Sequence, residues 1–387
     1  MKQHAPVGAV TAELRSRSPN VNTKSDQADA ADTALSQQYG GRHVGGWVSH
    51  LPASWVPFVQ LARLSPPAAL ALIYFPHLFG ALLSAITYNS DSKSATHGPA
   101  PAFIFLRASA VLLLGSFFFS NAAHAWNDLI DAPLDAQVAR TRKRPIPRGA
   151  ITPRAAFVFA ATQAVCAAGV LLFAFPDPVG AACYALPNVL ATAYYPWAKR
   201  HTNLVQLVLG FCLAWGIVVG FTTVGLEPFT WRPYFGLGAD ARREVAGDGN
   251  PIPSLRVDVP AACLLLACVL WTTIYDTIYA HQDRKDDTKL GIRSMAVLYG
   301  DRTKPVLWLA LFCMLGLLAG CGAAAGMAWP YFGISLAGCA LSLGAMIASV
   351  ELADAASCWW WFRYGFWLAG SSIAGGLAVD SVEIRVK

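Results

Sequence analysis

Six aspartates are the residues of this sequence best placed to do chemistry, and they fall in two groups. The first group is Asn127-Asp128-Leu129-Ile130-Asp131-Ala132-Pro133-Leu134-Asp135. On a helix, Asp128, Asp131 and Asp135 stand at i, i+3 and i+7 and share one face, with Asn127 beside it. Pro133 is expected to bend or break that helix, which loosens the placement of Asp135. The second group runs from Asp276 to Asp287 and puts Asp276, Asp283 and Asp287 at i, i+7 and i+11, again on one face; Asp286 falls off it. Each group closes a long apolar stretch. Carboxylates at the mouth of a membrane helix are costly and mark function. Crowded together they repel, and a divalent cation is the simplest way to keep them charged. Oxygen-only ligands suit Mg²⁺, which takes carboxylates and substrate phosphates. Two such clusters facing each other with Mg²⁺ between them make a diphosphate clamp. Arg140, Arg144, Lys199, Lys289 and Arg293 lie close in sequence to the same edge and suit phosphate oxygens, arginine as a fork and lysine as a point charge.

Other readings of the same residues are weaker. Charged residues at helix ends are often solvated flanks, but two patterned clusters at corresponding ends argue for a site. His124 and His281 read as hydrogen-bonding neighbours rather than ligands. Acidic residues on membrane helices also bind cations for transport. Transporters, however, place such sites at the bilayer midplane on broken helices, whereas these clusters lie at helix ends beside basic loops.

The elements that must position these groups are membrane helices. Of 387 residues, 55% are hydrophobic and 13% charged, and mean hydropathy is +0.43. Soluble domains carry about 25% charged residues, so an ordinary soluble enzyme, a disordered protein and a nucleic-acid binder are excluded. Spans need about 20 mostly apolar residues, and nine segments qualify: roughly 66–87, 102–124, 152–174, 178–197, 203–223, 259–280, 304–325, 329–350 and 360–379. The expected architecture is an all-α integral membrane bundle of about nine transmembrane helices. The loops after the second, fourth and sixth spans hold Arg140 to Arg148, Lys199 with Arg200, and Arg284 to Lys304, all on one side if the spans alternate. The positive-inside rule turns that side to the cytosol, or to the matrix in a mitochondrion. The long loop 224–258 on the far side is mixed in charge. Residues 1–50 read as a polar, disordered tail, and 51–387 as one transmembrane domain. The tail carries Glu13, Asp26, Asp29 and Asp32 beside its arginines, which weighs against a mitochondrial transit peptide. An endoplasmic-reticulum or other endomembrane location is expected, with the mitochondrial inner membrane as the alternative. The nine cysteines show no paired spacing and read as small apolar packing residues.

At these motifs the sequence resembles the UbiA superfamily of membrane prenyltransferases. Asn127 to Asp135 matches that family's NDxxDxxxD motif and Arg140-Thr141-Arg142-Lys143-Arg144-Pro145 its RTxxRP continuation. Asp283 to Asp287 matches DxxxD, and Tyr195 to Lys199 matches YxxxK. The resemblance covers the chain from about residue 55 onward. Tyr275 to Asp283 looks like the branch that prenylates 4-hydroxybenzoate, which includes ubiquinone-pathway and fungal meroterpenoid enzymes. Two positions depart from the ubiquinone type: Arg63-Leu64-Ser65-Pro66-Pro67 stands where those enzymes tend to read RLDKP, and Ala214 where they often carry Asn. Ile73 to Gly80 looks more like the fungal enzymes and favours that side.

The resemblance implies Mg²⁺-dependent transfer of a prenyl group, farnesyl by expectation, from a prenyl diphosphate to a ring carbon of a phenolic acid. Long-chain prenylation of 4-hydroxybenzoate is the alternative and cation-coupled transport the remote one. Asn127, Asp128, Asp131 and Asp135 are expected on one Mg²⁺ side, Asp283 and Asp287 on the other. Arg140, Arg144, Lys199 and Lys289 are expected on the diphosphate. Arg63 is expected on the acceptor's carboxylate, Asp276 on the phenol or its departing ring proton, and Tyr195 and Tyr279 on the allyl cation.

Overall fold

The computed structural model describes residues 38–40, 46–65, 67–91, 101–229 and 257–383. Most of the expected tail (1–37 and 41–45) and the centre of the far-side loop (230–256) lie outside these. The described chain is helical: α1 Val56–Leu61, α2 Ala68–Asp91, α3 Pro101–Asp135, α4 Pro153–Ala174, α5 Pro178–His201, α6 Val205–Ala214, α7 Gly216–Thr222, α8 Val259–Ala280, α9 Arg284–Leu290, α10 Met295–Tyr299, α11 Thr303–Ala324, α12 Trp329–Ser349 and α13 Ala355–Glu383. Each of the nine expected spans falls on a helix, with α6 and α7 sharing one. Among the described residues, seven helical segments are long and apolar enough to cross a membrane; α5 and α13 are the two expected spans outside that set.

Three helix starts use the same local device. Thr152, Asp177 and Asp258 each accept a hydrogen bond from a backbone N–H of the first turn, at Ala155, Gly180 and Ala261. Pro153, Pro178 and Pro260 follow, where a missing N–H costs nothing. Of the bend or break expected at Pro133, the break does not occur: α3 runs through it to Asp135. Pro133 removes one bond, the one its own N–H would give the Leu129 carbonyl, and the ladder resumes beyond it, with the Ala136 N–H donating to the Ala132 carbonyl at 3.1 Å.

α8 is the central post, with Trp271, Ile274, Tyr275 and Ile278 fully buried against α2, α11 and α13. α4 is peripheral; it packs on α3 and buries only Ala156 and Ala160. Lipid offers no hydrophobic reward for helix contact, so close fit through small residues has to supply it. α2 and α7 show this. A Cβ at Gly80 would overlap the Ile217 backbone, and one at Gly220 would overlap the His77 carbonyl and Ala81 amide. Gly220→Ala is therefore expected to destabilise by about 1–3 kcal/mol, read as a lower melting temperature in detergent. Gly169→Ala, where a Cβ meets nothing within 4 Å, is the comparator and should not lower it.

The far-side loop is closed at its base. Phe229 and Val257 form a bridge and the Asp258 N–H donates to the Pro228 carbonyl at 2.9 Å. The Tyr184 hydroxyl donates to Glu227 and to the Phe229 carbonyl. All nine cysteines are free, as their spacing implied.

Candidate active site

The C-terminal ends of α3 and of the α8–α9 segment face each other across a cavity of about 200 Å³. Its wall includes Asn127, Asp131 and Asp135 from α3, Asp276, Asp283 and Asp287 from the second segment, Arg140 and Arg144 from the loop after α3, and Lys199 from α5. Helical period explains the convergence. Asp283 and Asp287 stand one turn apart, and Asp276 two turns deeper remains on the cavity side although a 3₁₀ turn, His281–Asp283, interrupts the helix. Gly291, at φ +69°, stops α9. The chain then returns so that the Arg293 N–H donates to the Lys199 carbonyl at 3.1 Å and ties the second cluster to α5.

The charges are matched in pairs. Arg144 Nη1 bridges Asp128 at 3.0 Å and Asp135 at 2.8 Å; Arg63 Nη2 reaches the same Asp128 oxygen at 2.9 Å. Lys199 Nζ holds Asp131 at 2.6 Å. Arg140 grips Asp283 through Nε and Nη2, at 2.9 and 2.6 Å, and donates through Nη1 to the Tyr279 hydroxyl at 2.8 Å. Burial disfavours the charge of Arg140 and of Arg144. Asp283 outweighs it for the first, Asp128 and Asp135 for the second, and both guanidiniums are held above the ordinary arginine range.

Six buried side-chain oxygens on α3 have no partner; Ser109, Ser116 and Asn121 carry one each along the helix, and three gather at its acidic end. Asn127 Oδ1, Asp128 Oδ2 and Asp131 Oδ1 are buried and have no hydrogen-bond partner. Buried polar atoms without partners are uncommon and call for an explanation such as an ion. All three are hard oxygen donors, one to four residues apart, Asp128 and Asp131 on one helical face and Asn127 beside it, which is the ligand chemistry of Mg²⁺. Among the described residues no three His, Cys, Asp or Glu side chains cluster tightly enough to hold a metal by themselves. That agrees with an ion bound through one or two carboxylates and completed by substrate phosphate.

The other expected residues are placed as follows. Tyr195, Tyr279 and Arg63 line the cavity. Asp276 is hydrogen-bonded by Gln206, whose Oε1 accepts the Met295 N–H at 2.9 Å. Lys289 is not brought to the site. It is 76% exposed and pairs with Asp286 at 3.6 Å, because two residues beyond Asp287 a helix has turned to its opposite side. Asp286, off the acidic face, accepts the Ala139 N–H instead. His281 bonds Thr303 at 3.0 Å and His124 the Ser120 carbonyl at 2.7 Å, both as neighbours.

Sequence reasoning missed Gln206 and Phe362, which carry no motif, and it missed Tyr39 altogether. Residues 38–40, inside the stretch expected to be a disordered tail, are packed over the mouth of the cavity. Gly46–His50 is likewise a short 3₁₀ helix. Gln38 Nε2 donates to Gln282 at 3.0 Å, and Tyr39 is 5% exposed. Tyr39 and Arg63 are the two non-glycine residues with positive φ among those described, at 51° and 54°. Such backbone costs roughly 1–3 kcal/mol and gathers at functional sites.

A second chamber of about 520 Å³ lies between α3, α4 and α5, almost wholly apolar. It shares Phe119, Ala123 and Thr192 with the polar cavity, so the two adjoin. Leu172 and Leu186, each about half exposed at 49% and 52%, border its lipid side.

Comparison with known proteins gives the family. The model of the UbiA prenyltransferase family matches residues 94–370. The mitochondrial 4-hydroxybenzoate polyprenyltransferase of Saccharomyces cerevisiae is 32% identical over 317 residues, 82% of this chain and 74% of that protein. Prenyltransferase stbC of Stachybotrys bisbyi is 33% identical over 313 residues, 80% and 83% of the two chains. A UbiA homologue from Archaeoglobus fulgidus, solved with GPP and Mg²⁺, shares the fold with a TM-score of 0.54 at 14% identity, covering 86% of this chain and all of that one. A family match over most of the chain and a third of positions shared with two prenyltransferases identify this protein as a multi-pass membrane prenyltransferase of the UbiA family.

Proposed function

We propose that the protein transfers a prenyl group, farnesyl by preference, from its diphosphate to a ring carbon of a phenolic acid in meroterpenoid formation, with Mg²⁺ as cofactor. The observation that carries this reading is the set of three partnerless oxygens on Asn127, Asp128 and Asp131, at the edge of a cation-lined cavity whose wall holds Asn127, Asp131, Asp283 and Asp287 and which adjoins an apolar chamber.

The donor's head sits between the two acidic helix ends and its tail in the chamber between α3, α4 and α5. Mg²⁺ there supplies positive charge that neutralises the leaving diphosphate. Arg140, Arg144 and Lys199 turn from their carboxylates to the phosphate oxygens and stabilise the same charge. The allylic C–O bond breaks with both electrons going to the diphosphate. Tyr195 and Tyr279 face the resulting allyl cation with their rings, and burial keeps water from trapping it. A ring carbon ortho to the phenol oxygen attacks, and its proton leaves to Asp276, which Gln206 holds in place. Arg63 receives the acceptor's carboxylate. The site faces the cytosol from the endoplasmic reticulum or another endomembrane.

The yeast relative supports a second reading, long-chain prenylation of 4-hydroxybenzoate in a mitochondrion. One assay separates the two. Membranes bearing the protein are given Mg²⁺ and geranyl, farnesyl or a longer polyprenyl diphosphate, each with 4-hydroxybenzoate or an orsellinic-type acid. The expected result is farnesylation of the orsellinic-type acid, abolished by EDTA and by Asp128→Ala. Long-chain transfer to 4-hydroxybenzoate would establish the second reading. No transfer by folded protein would sink both.

A further inference from the structure

We infer that Tyr39, from the segment ahead of the first membrane helix, forms one wall of the acceptor subsite and helps decide which aromatic acid is accepted; this rests on the reading of the acceptor as a phenolic acid. Four aromatic rings from three distant parts of the chain meet at the cavity mouth. Tyr39 meets Trp359 edge-on at 6.0 Å, Trp359 stacks on Phe362 at 5.9 Å, and Phe362 lies 4.2 Å from Tyr279. Tyr39, Tyr279 and Phe362 all line the same cavity as the acidic clusters.

Two guanidiniums close this group. Arg63 stands over the Tyr39 ring at 5.6 Å and Arg140 over the Tyr279 ring at 5.0 Å. Arg63 gives Nη2 to Asp128, while its Nε is buried without a partner. A flat ring bearing a carboxylate matches that pattern: aromatic faces for the ring, a guanidinium for the anion. The prenyl tail is aliphatic and, on the proposed reading, lies in the adjoining chamber, which none of these rings lines, so the aromatic wall is left for the second substrate.

The strap is built to hold Tyr39 where it is. Gln38 is anchored on Gln282 and reaches Arg140, at 3.0 and 3.5 Å. The Gly40 carbonyl accepts from Gln60 at 3.4 Å, and a side chain at Gly40 would run into the Lys143 carbonyl. The two residues that contact each other, Tyr39 and Arg63, are the same two that carry left-handed backbone.

The test uses the full-length protein in detergent with farnesyl diphosphate, Mg²⁺ and each of the two acids. Tyr39→Leu fills similar space without a ring face. It is expected to raise the acceptor KM about tenfold, the worth of one aromatic contact, while the donor KM and Mg²⁺-dependent diphosphate release without acceptor stay within about twofold. Tyr39→Phe, which restores the ring, should return the acceptor KM to the wild-type range. Equal loss in donor and acceptor terms would show a merely structural strap and overturn the inference, as would an unchanged acceptor KM in Tyr39→Leu. If wild-type protein prenylates neither acid, the functional reading has failed separately. Equilibrium dialysis with labelled 4-hydroxybenzoate then judges the subsite: binding lost in Tyr39→Leu supports it, and binding unchanged or absent in wild type overturns it.

Discussion

Replacing Asp131 with Asn is expected to lower prenyl transfer by about 10²–10³-fold, the usual loss when one preorganised electrostatic group at a developing charge is removed, while leaving the protein folded. Asp131 is 1% exposed; one oxygen holds Lys199 at 2.6 Å and the other is among the partnerless three. Asn keeps the volume and one carbonyl oxygen. It removes the charge that binds a divalent ion and the charge that keeps Lys199 poised beside the cavity. The loss should appear in kcat at saturating farnesyl diphosphate and be only partly recovered by raising Mg²⁺. Asp286→Asn, a few residues from the second cluster but turned toward the Ala139 amide, should change kcat by less than about threefold, as suits a group that does not face the reacting charge. Similar losses in the two variants would contradict the assignment of the inner face.

The second large effect concerns stability. Arg144→Met should destabilise the protein by about 3–5 kcal/mol, the cost of stripping the partner from buried charge. Arg144 is 6% exposed and serves Asp128 and Asp135 at once, themselves 1% and 8% exposed. Methionine fills much of the space and satisfies neither carboxylate. Adding Asp135→Asn to Arg144→Met should recover part of the loss, because Asp135 is the charge left without its ion pair, whereas Asp128 keeps Arg63 at 2.9 Å. A double variant that melts no higher than Arg144→Met would show that Asp135 is not coupled to Arg144. Transfer activity cannot serve as the readout here, since Arg144 is also assigned to the diphosphate; thermal melting in detergent can.

The acidic faces were readable because helices are periodic and the aspartates obey the period: Asp128, Asp131 and Asp135 on α3, Asp283 and Asp287 one turn apart on the second segment. Pro133 misled in one respect. Proline takes one N–H out of the helical ladder, but a single missing bond did not end the helix: bonding resumes from Ala136 to Ala132, and α3 reaches Asp135. Lys289 shows the limit of proximity in sequence. It sits two residues from Asp287, and two residues on a helix is more than half a turn, so it faces solvent. Gln206 could not be read at all, because an isolated glutamine at the start of an apolar helix looks like an ordinary flank. Tyr39 was hidden by its company. Its segment is polar, with no apolar period, and the contacts that order it come from Arg63, Gln282 and Trp359, none of which is near it in the chain.

The length of α3 has a further consequence. Thirty-five residues, Pro101–Asp135, make a helix of roughly 52 Å, against a hydrocarbon core of about 30 Å. Even with tilt, part of α3 has to stand outside that core; its charged end belongs among headgroups and water, and its apolar length, beside the chamber, at the depth of the acyl chains. On the proposed reading, the donor is held across two solvents, by its charge in one and its tail in the other. Transfer removes the charged half. What remains is an apolar chain on a small phenolic ring, whose most favourable surroundings are the bilayer, beside a chamber bordered by half-exposed leucines. Product then leaves sideways into lipid while diphosphate leaves into water, and the enzyme that next uses the product has to meet it in the membrane.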